Sequence, residues 1–181
     1  INNFLLWQLM TLKNFLILAP WPLVVLGVAV IAYFARGRKI GTTVFVGLCT
    51  FFIGFLHPIF WTKAIETTAI MLISIFLCVI FGIPVGILMA RSERVRDKIL
   101  PVLDLMQTIP AFVYLIPGIM LFGLGAVPAI IATFIYAVPP LVRLTDLGIR
   151  LVDKEVIEAA DAFGADKKQK LFGVQLPLAL P

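Results

Sequence analysis

The chain alternates between long apolar stretches and short polar ones. The hydrocarbon core of a bilayer is about 30 Å thick, so a helix needs roughly 20 apolar residues to cross it. Four stretches reach that length, at about 15–35, 40–60, 64–90 and 127–147. Polar clusters such as RGRK and RSERVRDK lie between the stretches. The pattern therefore predicts at least four transmembrane helices.

A fifth apolar stretch, at about 99–124, is interrupted by proline. Pro101, Pro110 and Pro117 fall inside it, and a proline within a helix removes a backbone hydrogen bond and kinks the helix. In lipid, the freed carbonyl groups persist only where neighbouring helices or water satisfy them. We therefore predict a broken span that packs inside a bundle. The Pro139-Pro140 pair predicts a second kink in the span that follows.

Composition favours a membrane protein over a soluble or disordered one. Hydrophobic residues make up 61% of the chain and charged residues 14%, whereas soluble domains are about half apolar and about a quarter charged. A soluble fold of 181 residues could not bury this much apolar surface. Disordered chains lack such apolar content altogether. The predicted fold class is thus all-α, a polytopic bundle of transmembrane helices.

The fifteen lysine and arginine residues are clustered between the apolar stretches. When the five spans alternate, all of them except Lys13 and Lys63 fall on one side of the membrane. Cytoplasmic loops carry the excess of basic residues in membrane proteins, so this side is predicted to be cytoplasmic. The net charge of +5, distributed in this way, argues against a nucleic-acid-binding surface.

The stretch at 148–173 differs in kind, because charged residues alternate there with isolated apolar ones. The spacing predicts an amphipathic helix, with Asp153 as its N-cap and Gly164 at its end. A second short helix is predicted from about Asp166 to Phe172. The apolar run VQLPLALP follows and stops at Pro181, so we expect it to begin a further span that is truncated.

These interpretations divide the chain into three parts. Residues 1–14 form an extracytoplasmic or interfacial segment, and residues 15–60 form two peripheral transmembrane helices. Residues 64–181 form a core with three spans, the cytoplasmic loop at 148–173 and the start of a further span. We expect a chain of this kind to be a multi-pass membrane protein.

Polar and aromatic residues near the interrupted span are candidates for a translocation path. Intramembrane polar groups are costly and often functional, and aromatic faces attract cations. Asp104, however, could instead cap a helix or pair with Lys98 or Arg143. Aromatic residues in membrane helices more often serve packing. The candidates are Asp104, Gln107, Thr108, Phe112 and Tyr114.

The C-terminal stretch EAADAFGADKKQKLFGVQLPLALP resembles the EAA signature of the permease subunits of ABC importers. Val174 stands where that family usually has isoleucine. In the family, this element is a coupling helix that docks into a cleft of the ATPase subunit. The resemblance therefore implies a type I importer permease fold and a role in ATPase coupling for the matching residues. These are Glu158, Ala159, Ala160, Gly164, Leu176 and Pro177.

A second resemblance narrows the subfamily. The segments LDLMQTIPAFVYLIP, FGLGAVP and PPLVRLTDLGIR are similar to permeases of glycine betaine/proline betaine importers, and the resemblance extends over about 64–181. It implies import of an osmoprotectant by two permease copies, two ATP-binding subunits and an extracytoplasmic substrate-binding protein or fused domain. It also implies a location in the bacterial or archaeal plasma membrane. No GxxxxGK[ST] motif occurs in the chain, so ATP and Mg are expected on the partner ATPase. The sequence shows no metal-ligand cluster or catalytic pair, and the chain is not expected to be an enzyme.

Three alternatives remain open from the sequence. A permease of the same superfamily could carry choline, carnitine or an amino acid, which substrate competition would distinguish. An ion channel would conduct without an ATPase, although the chain lacks a filter-like loop. A membrane scaffold would show neither flux nor stimulated ATP hydrolysis.

Overall fold

The computed structural model describes residues 2–35 and 37–179, and within these residues the regular structure is helical. Among the described residues, two helices, α4 (Pro58–Arg91) and α7 (Ala126–Arg150), are each long and apolar enough to cross a membrane. The elements in chain order are α1 (Asn2–Leu18), α2 (Trp21–Ala35), α3 (Ile40–Leu56), α4 (Pro58–Arg91), α5 (Glu93–Thr108), α6 (Ala111–Phe122), α7 (Ala126–Arg150), α8 (Lys154–Ala162), α9 (Lys167–Gln169), a π-helix (Lys170–Gln175) and α10 (Leu176–Ala179). The predicted all-α class is confirmed.

Three helices end directly before a residue that precedes proline. The residue before proline is pushed out of the helical region by the proline ring. His57, before Pro58, is extended with φ −167° and ψ 142°, and Ile109, before Pro110, has φ −74° and ψ 123°. Likewise, α1 ends at Leu18, just before Ala19 and Pro20. Local sterics thus explain where these helices stop.

The predicted first span, 15–35, is not one helix. Residues up to Leu18 belong to α1, and α1 and α2 are bent by 99° at the break. The sequence interpretation overlooked Pro20, because the apolar run continues across it. α3, with 17 residues, is a shorter apolar helix.

The predicted interruption of the fifth segment is confirmed, since α5 and α6 are bent by 85° at their junction. Only Pro110 lies at the break; Pro101 and Pro117 lie inside α5 and α6. In the same way, α7 continues as one helix through Pro139 and Pro140. A proline inside a membrane helix is tolerated where local adjustments and neighbours satisfy the freed carbonyl group.

The helices form two compact units, Ile1–Ile73 and Ser74–Pro181. In the N-terminal unit, α2 and α3 pack against each other. The Trp21 ring lies 5.6 Å from the Phe51 ring and 6.5 Å from the Trp61 ring, measured between centroids. The two tryptophan rings therefore pack together within this unit.

In the C-terminal unit, a row of small side chains on α4 faces α7. Ser74, Cys78, Gly82 and Gly86 are spaced four residues apart and are all buried. The closest approach is at Gly86, where a Cβ atom would lie 2.8 Å from the Val142 carbonyl oxygen. Small residues of this kind allow two membrane helices to pack closely. The buried core beside this contact contains Cys78, Met89, Leu103, Val138 and Val142.

Candidate functional site

The loop after α7 begins with a capped helix. The Asp153 carboxylate accepts a hydrogen bond of 2.9 Å from the Glu155 backbone N–H, which confirms the predicted N-cap of α8. A carboxylate at this position satisfies one of the free N–H groups of the first turn and interacts favourably with the helix dipole. The start of α8 is therefore fixed by its own sequence.

The end of α8 is fixed by Gly164, which has φ +76°. The Gly164 N–H donates to the Asp161 carbonyl oxygen at 2.9 Å, and the Ala165 N–H donates to the Ala160 carbonyl oxygen at 3.0 Å. This pair of bonds is the Schellman arrangement, which needs a left-handed residue and favours glycine there. The predicted helix stop is confirmed, and the left-handed conformation explains why glycine occupies this position of the EAA-like stretch.

The second arm of the loop begins with reciprocal capping. The Asp166 carboxylate accepts from the backbone N–H groups of Lys168 and Gln169, both at 2.7 Å, and the Gln169 side chain accepts from the Asp166 N–H at 2.9 Å. The D-x-x-Q spacing of a capping box was present in the sequence and was overlooked. An ion pair between Lys170 and Asp161 ties the two arms together.

The second arm is longer than predicted. The sequence placed its end near Phe172, yet the chain remains helical from Lys167 to Ala179, with π-helical geometry from Lys170 to Gln175. π-Helical segments are rare and are frequent at functional sites. Arg91, Ile157, Lys170 and Gln175 line a cleft of ≈ 380 Å³ between the arms and the end of α4.

The outer face of α8 is exposed and partly apolar. Glu158 and Ala159 are exposed, whereas Ala160 is half-buried. Phe163, directly before the helix-ending glycine, is 92% exposed. Val156, Ala159 and Phe163 of the apolar stripe are therefore left uncovered by the described part of the chain, whereas Val152 is buried. Phe163 is one of the apolar positions of the predicted amphipathic pattern, but its outward position was not predicted.

The remaining residues of the EAA-like stretch lie elsewhere. Leu176 lines a cleft of ≈ 310 Å³ together with side chains of α7, including Leu141, Leu144 and Thr145. Pro177 is exposed on α10. The backbone of α10 also approaches α7 closely, because a Cβ atom on Gly148 would lie 3.2 Å from the Ala179 carbonyl oxygen. The stretch thus contributes both an exposed helix and an anchor on α7.

A group of charged residues lies at the end of α7 that the sequence interpretation did not identify. Asp146 is 5% exposed and pairs with Arg96 at 3.1 Å and with Arg150 at 2.7 Å. Arg150 also pairs with Glu93 on α5. The separation of about fifty residues between partners on α5 and α7 gives no periodic signal, so these contacts could not be read from one sequence.

The candidate path residues lie near the junction of α5 and α6. Asp104 pairs with Arg143 of α7, one of the two partners that the sequence suggested. Gln107 and Phe112 are exposed, and the Thr108 hydroxyl donates to the Leu105 carbonyl oxygen at 3.1 Å. The Tyr114 hydroxyl oxygen is buried and has no hydrogen-bond partner among the described residues. Among all the residues that the structure describes, no group of three or more His, Cys, Asp or Glu side chains could hold a metal ion.

Comparison with known proteins identifies the class of membrane protein that this fold and loop define. Residues 82–181, which include α7 and the whole loop, match the family described as binding-protein-dependent transport system inner membrane component. The chain belongs to this family. It is thus a membrane component of a transport system, and the expectation of a multi-pass protein of the plasma membrane is confirmed.

Three curated relatives have names that state a transported compound as well as the class of protein. The glycine betaine/proline betaine transport system permease protein ProW of Escherichia coli (strain K12) is 46% identical over 90% of this chain and 45% of its own length. The glycine betaine/carnitine transport permease protein GbuB of Listeria monocytogenes is 45% identical over 88% of this chain and 56% of its own length. The glycine betaine transport system permease protein OpuAB of Bacillus subtilis (strain 168) is 48% identical over 66% of this chain and 43% of its own length. The chain spans about half the length of the curated relatives it matches.

Proposed function

We propose that this chain is the transmembrane subunit of an ATP-driven importer for a compatible solute, glycine betaine or a related quaternary ammonium compound. The observation that carries the proposal is the loop at 148–173. Its EAA-like residues fold into a helix that is capped at both ends and presents an exposed face. An exposed helix of this kind suits insertion into a groove of a partner protein.

The partner in this proposal is an ATP-binding subunit present in two copies. Glu158, Ala159 and the exposed Phe163 ring contact it, and Gly164 fixes the exit direction of the chain. A large aromatic side chain in a pocket is the kind of residue that dominates binding energy at protein interfaces. ATP and Mg are bound by that partner. Leu176 anchors the second arm on α7, and Pro177 lies exposed beside it.

Import further requires a second permease copy and an extracytoplasmic substrate-binding protein or fused domain. Closure of the ATPase subunits displaces α8, and the attached helices rock so that the path opens alternately to each side. The bent junction of α5 and α6 lines this path, with the exposed Phe112 ring and Tyr114 facing the cation. Aromatic faces attract quaternary ammonium groups by cation–π interaction. Asp104, Gln107 and Thr108 lie at the same junction.

The substrate class rests on the names of the relatives, all three of which include glycine betaine, while one also includes carnitine. Choline, carnitine and amino acids are the alternatives. Uptake of radiolabelled glycine betaine, measured with each of these compounds as a competitor, distinguishes them. ATP hydrolysis that responds to none of them would indicate a different substrate class.

Gly164→Pro tests the coupling role of the loop. Proline fixes φ near −65° and has no N–H, so it cannot adopt φ +76° or donate to the Asp161 carbonyl oxygen. We expect the complete transporter in proteoliposomes to lose glycine betaine uptake while the subunit still inserts into the membrane. Gly173→Ala is the matched control, since a Cβ atom there meets no atom within 4 Å. Normal uptake by Gly164→Pro at normal expression would contradict the assignment.

A further inference from the structure

Arg150 occupies the position from which the loop leaves the transmembrane helices. It is the last residue of α7 and lies three residues before Asp153, the N-cap of α8. Its side chain is 26% exposed. Force applied to α8 reaches the helices through this short connection as well as through the second arm, which packs on α7. The contacts of Arg150 therefore help to determine which helices move with α8.

The guanidinium group of Arg150 contacts three helices. Its Nε donates to Asp146 Oδ1 within α7 at 2.7 Å, and its Nη2 donates to the Met89 carbonyl oxygen at 2.8 Å. Its Nη1 donates to Glu93, the first residue of α5. Met89 lies in the last turn of α4, where carbonyl groups lack partners within the helix. One side chain therefore joins the end of α4, the start of α5 and the end of α7.

Asp146 holds this arrangement in place. Each of its carboxylate oxygens accepts from a different arginine, Oδ1 from Arg150 and Oδ2 from Arg96 of α5 at 3.1 Å. A buried carboxylate is strongly disfavoured unless it is paired in this way. The apolar core formed by Met89, Leu103 and Val142 comes from the same three helices. The charged cluster and the core therefore fix one arrangement of the helix ends.

We propose that Arg150 is the positioning residue that couples α8 to the α4–α5 corner, so that the coupling loop, α7 and the first arm of the bent span move as one body. This proposal rests on the proposed function, because it names the side chain through which displacement of α8 reaches the translocation path. Lysine cannot replace it, since a single ammonium group lacks the planar fork that reaches three acceptors in fixed directions.

A purely structural role predicts a different result from a coupling role. If Arg150 contributed only to stability, its replacement would lower expression and thermal stability while each folded transporter still moved the same amount of solute per ATP. If it couples the helices, folded transporters hydrolyse ATP and move less solute for each ATP. The ratio of solute imported to ATP hydrolysed is therefore the informative quantity.

The experiment uses the complete transporter in proteoliposomes with Arg150→Lys, and with Arg94→Lys as the matched control on an exposed arginine of α5. We expect Arg150→Lys to lower the ratio of solute to ATP by roughly fivefold or more, the range of a typical coupling between two sites. Arg94→Lys should leave the ratio unchanged. Glu93→Gln is the second variant, because Glu93 is 66% exposed and its replacement breaks the contact with α5 while Asp146 stays paired.

A distance measurement makes the test independent of the substrate. Spin labels at Glu155→Cys on α8 and Asp97→Cys on α5, both exposed positions, are introduced with Cys49 and Cys78 replaced. We expect one narrow distance distribution both without nucleotide and with trapped ATP, and a broader one in Arg150→Lys and Glu93→Gln. An unchanged distribution in both variants, or an unchanged ratio of solute to ATP in both, overturns the proposal.

Failure of the proposed function has a separate outcome. If the unsubstituted complex imports no betaine, choline, carnitine or amino acid, the assigned function is wrong and the ratio is not the criterion. The distances then decide alone: broadening in Arg150→Lys or Glu93→Gln supports the connection between the helices, and identical distributions overturn it.

Discussion

The two compact units of the chain use their polar groups differently. In the N-terminal unit, threonine hydroxyls donate mostly to carbonyl oxygens one turn earlier in the same helix, as Thr11 does to Trp7 and Thr50 to Val46. The ion pair between α1 and α4 in this unit, Lys13 with Glu66, is long at 3.8 Å. In the C-terminal unit, polar side chains connect different helices, as Arg96 does with Asp146 and Arg143 with Asp104. The α2 and α3 helices contain no buried residue, whereas α7 contains eight.

We interpret this difference as that between a unit that anchors the chain in the membrane and a unit that transmits movement. Side chains that bond within their own helix keep it intact in lipid but do not specify its neighbours, because an apolar surface packs on lipid as well as on protein. Ion pairs and close contacts between helices require one arrangement. The family match covers 82–181, inside the C-terminal unit. The residues proposed to couple and to transport lie in that unit as well.

The largest expected effect is the loss of a buried charge in the C-terminal unit. Asp146→Asn leaves Arg96 and Arg150 without their shared carboxylate, and breaking a buried pair of this kind costs about 3 kcal/mol. We expect a clear fall in the free energy of unfolding, measured by titration with SDS in detergent micelles.

Glu66→Gln is the comparison in the N-terminal unit, where Glu66 is partly exposed and pairs with Lys63 at 2.9 Å and Lys13 at 3.8 Å. Pairs of this type contribute less than about 1 kcal/mol. Equal losses for Glu66→Gln and Asp146→Asn would remove the distinction between the two units.

A smaller effect is expected from adding one methyl group at a helix contact. Gly86→Ala would place its Cβ 2.5 Å from Thr145 Cβ and 2.8 Å from a backbone carbonyl oxygen of α7, and overpacking of this kind costs roughly 1–3 kcal/mol. In the N-terminal unit, Gly27→Ala meets no atom within 4 Å. Its higher helix propensity should leave stability unchanged or slightly raised. Thermal unfolding in detergent would compare the two, and a neutral Gly86→Ala would show that α4 and α7 do not pack this closely.

The smallest effect is local to the loop. Asp153→Ala removes the N-cap of α8, which costs about 1 kcal/mol of helix stability. We expect faster hydrogen exchange at the backbone amides of α8, with little change in α4 or α7. Lys154→Ala, at the exposed neighbouring position, is the control. Equal exchange rates in both variants would mean that the partner, and not the cap, holds α8.

Local chemistry accounts for what the sequence predicted well. Hydrophobic length located α4 and α7, and single residues with strong conformational preferences located the ends of α8, namely Asp153 and Gly164. Proline was less informative, because Pro110 ends a helix while Pro101 and Pro117 do not. All three prolines have the same fixed φ and the same missing N–H. Whether a helix ends at one of them therefore depends on whether neighbouring groups satisfy the freed carbonyl oxygen.

Contacts between distant residues were beyond prediction from one sequence. Arg96 and Asp146 are fifty positions apart, and neither has a spacing that identifies its partner. The close approach at Gly86 depends on where α7 crosses α4. The outward position of Phe163 also depends on tertiary structure, because a phenylalanine in an amphipathic pattern is expected to be buried by its own chain.

Cross-linking between the chain and the ATPase subunit of the intact transporter tests most directly whether the loop at 148–173 contacts that subunit. Single cysteines would be placed at Ala159 in the loop at 148–173 and at Lys39 in the N-terminal unit, both exposed and both expected to face the cytoplasm. We expect a cross-link from Ala159→Cys and none from Lys39→Cys. A cross-link from Lys39→Cys alone, in a complex that still co-purifies with its ATPase, would contradict this expectation.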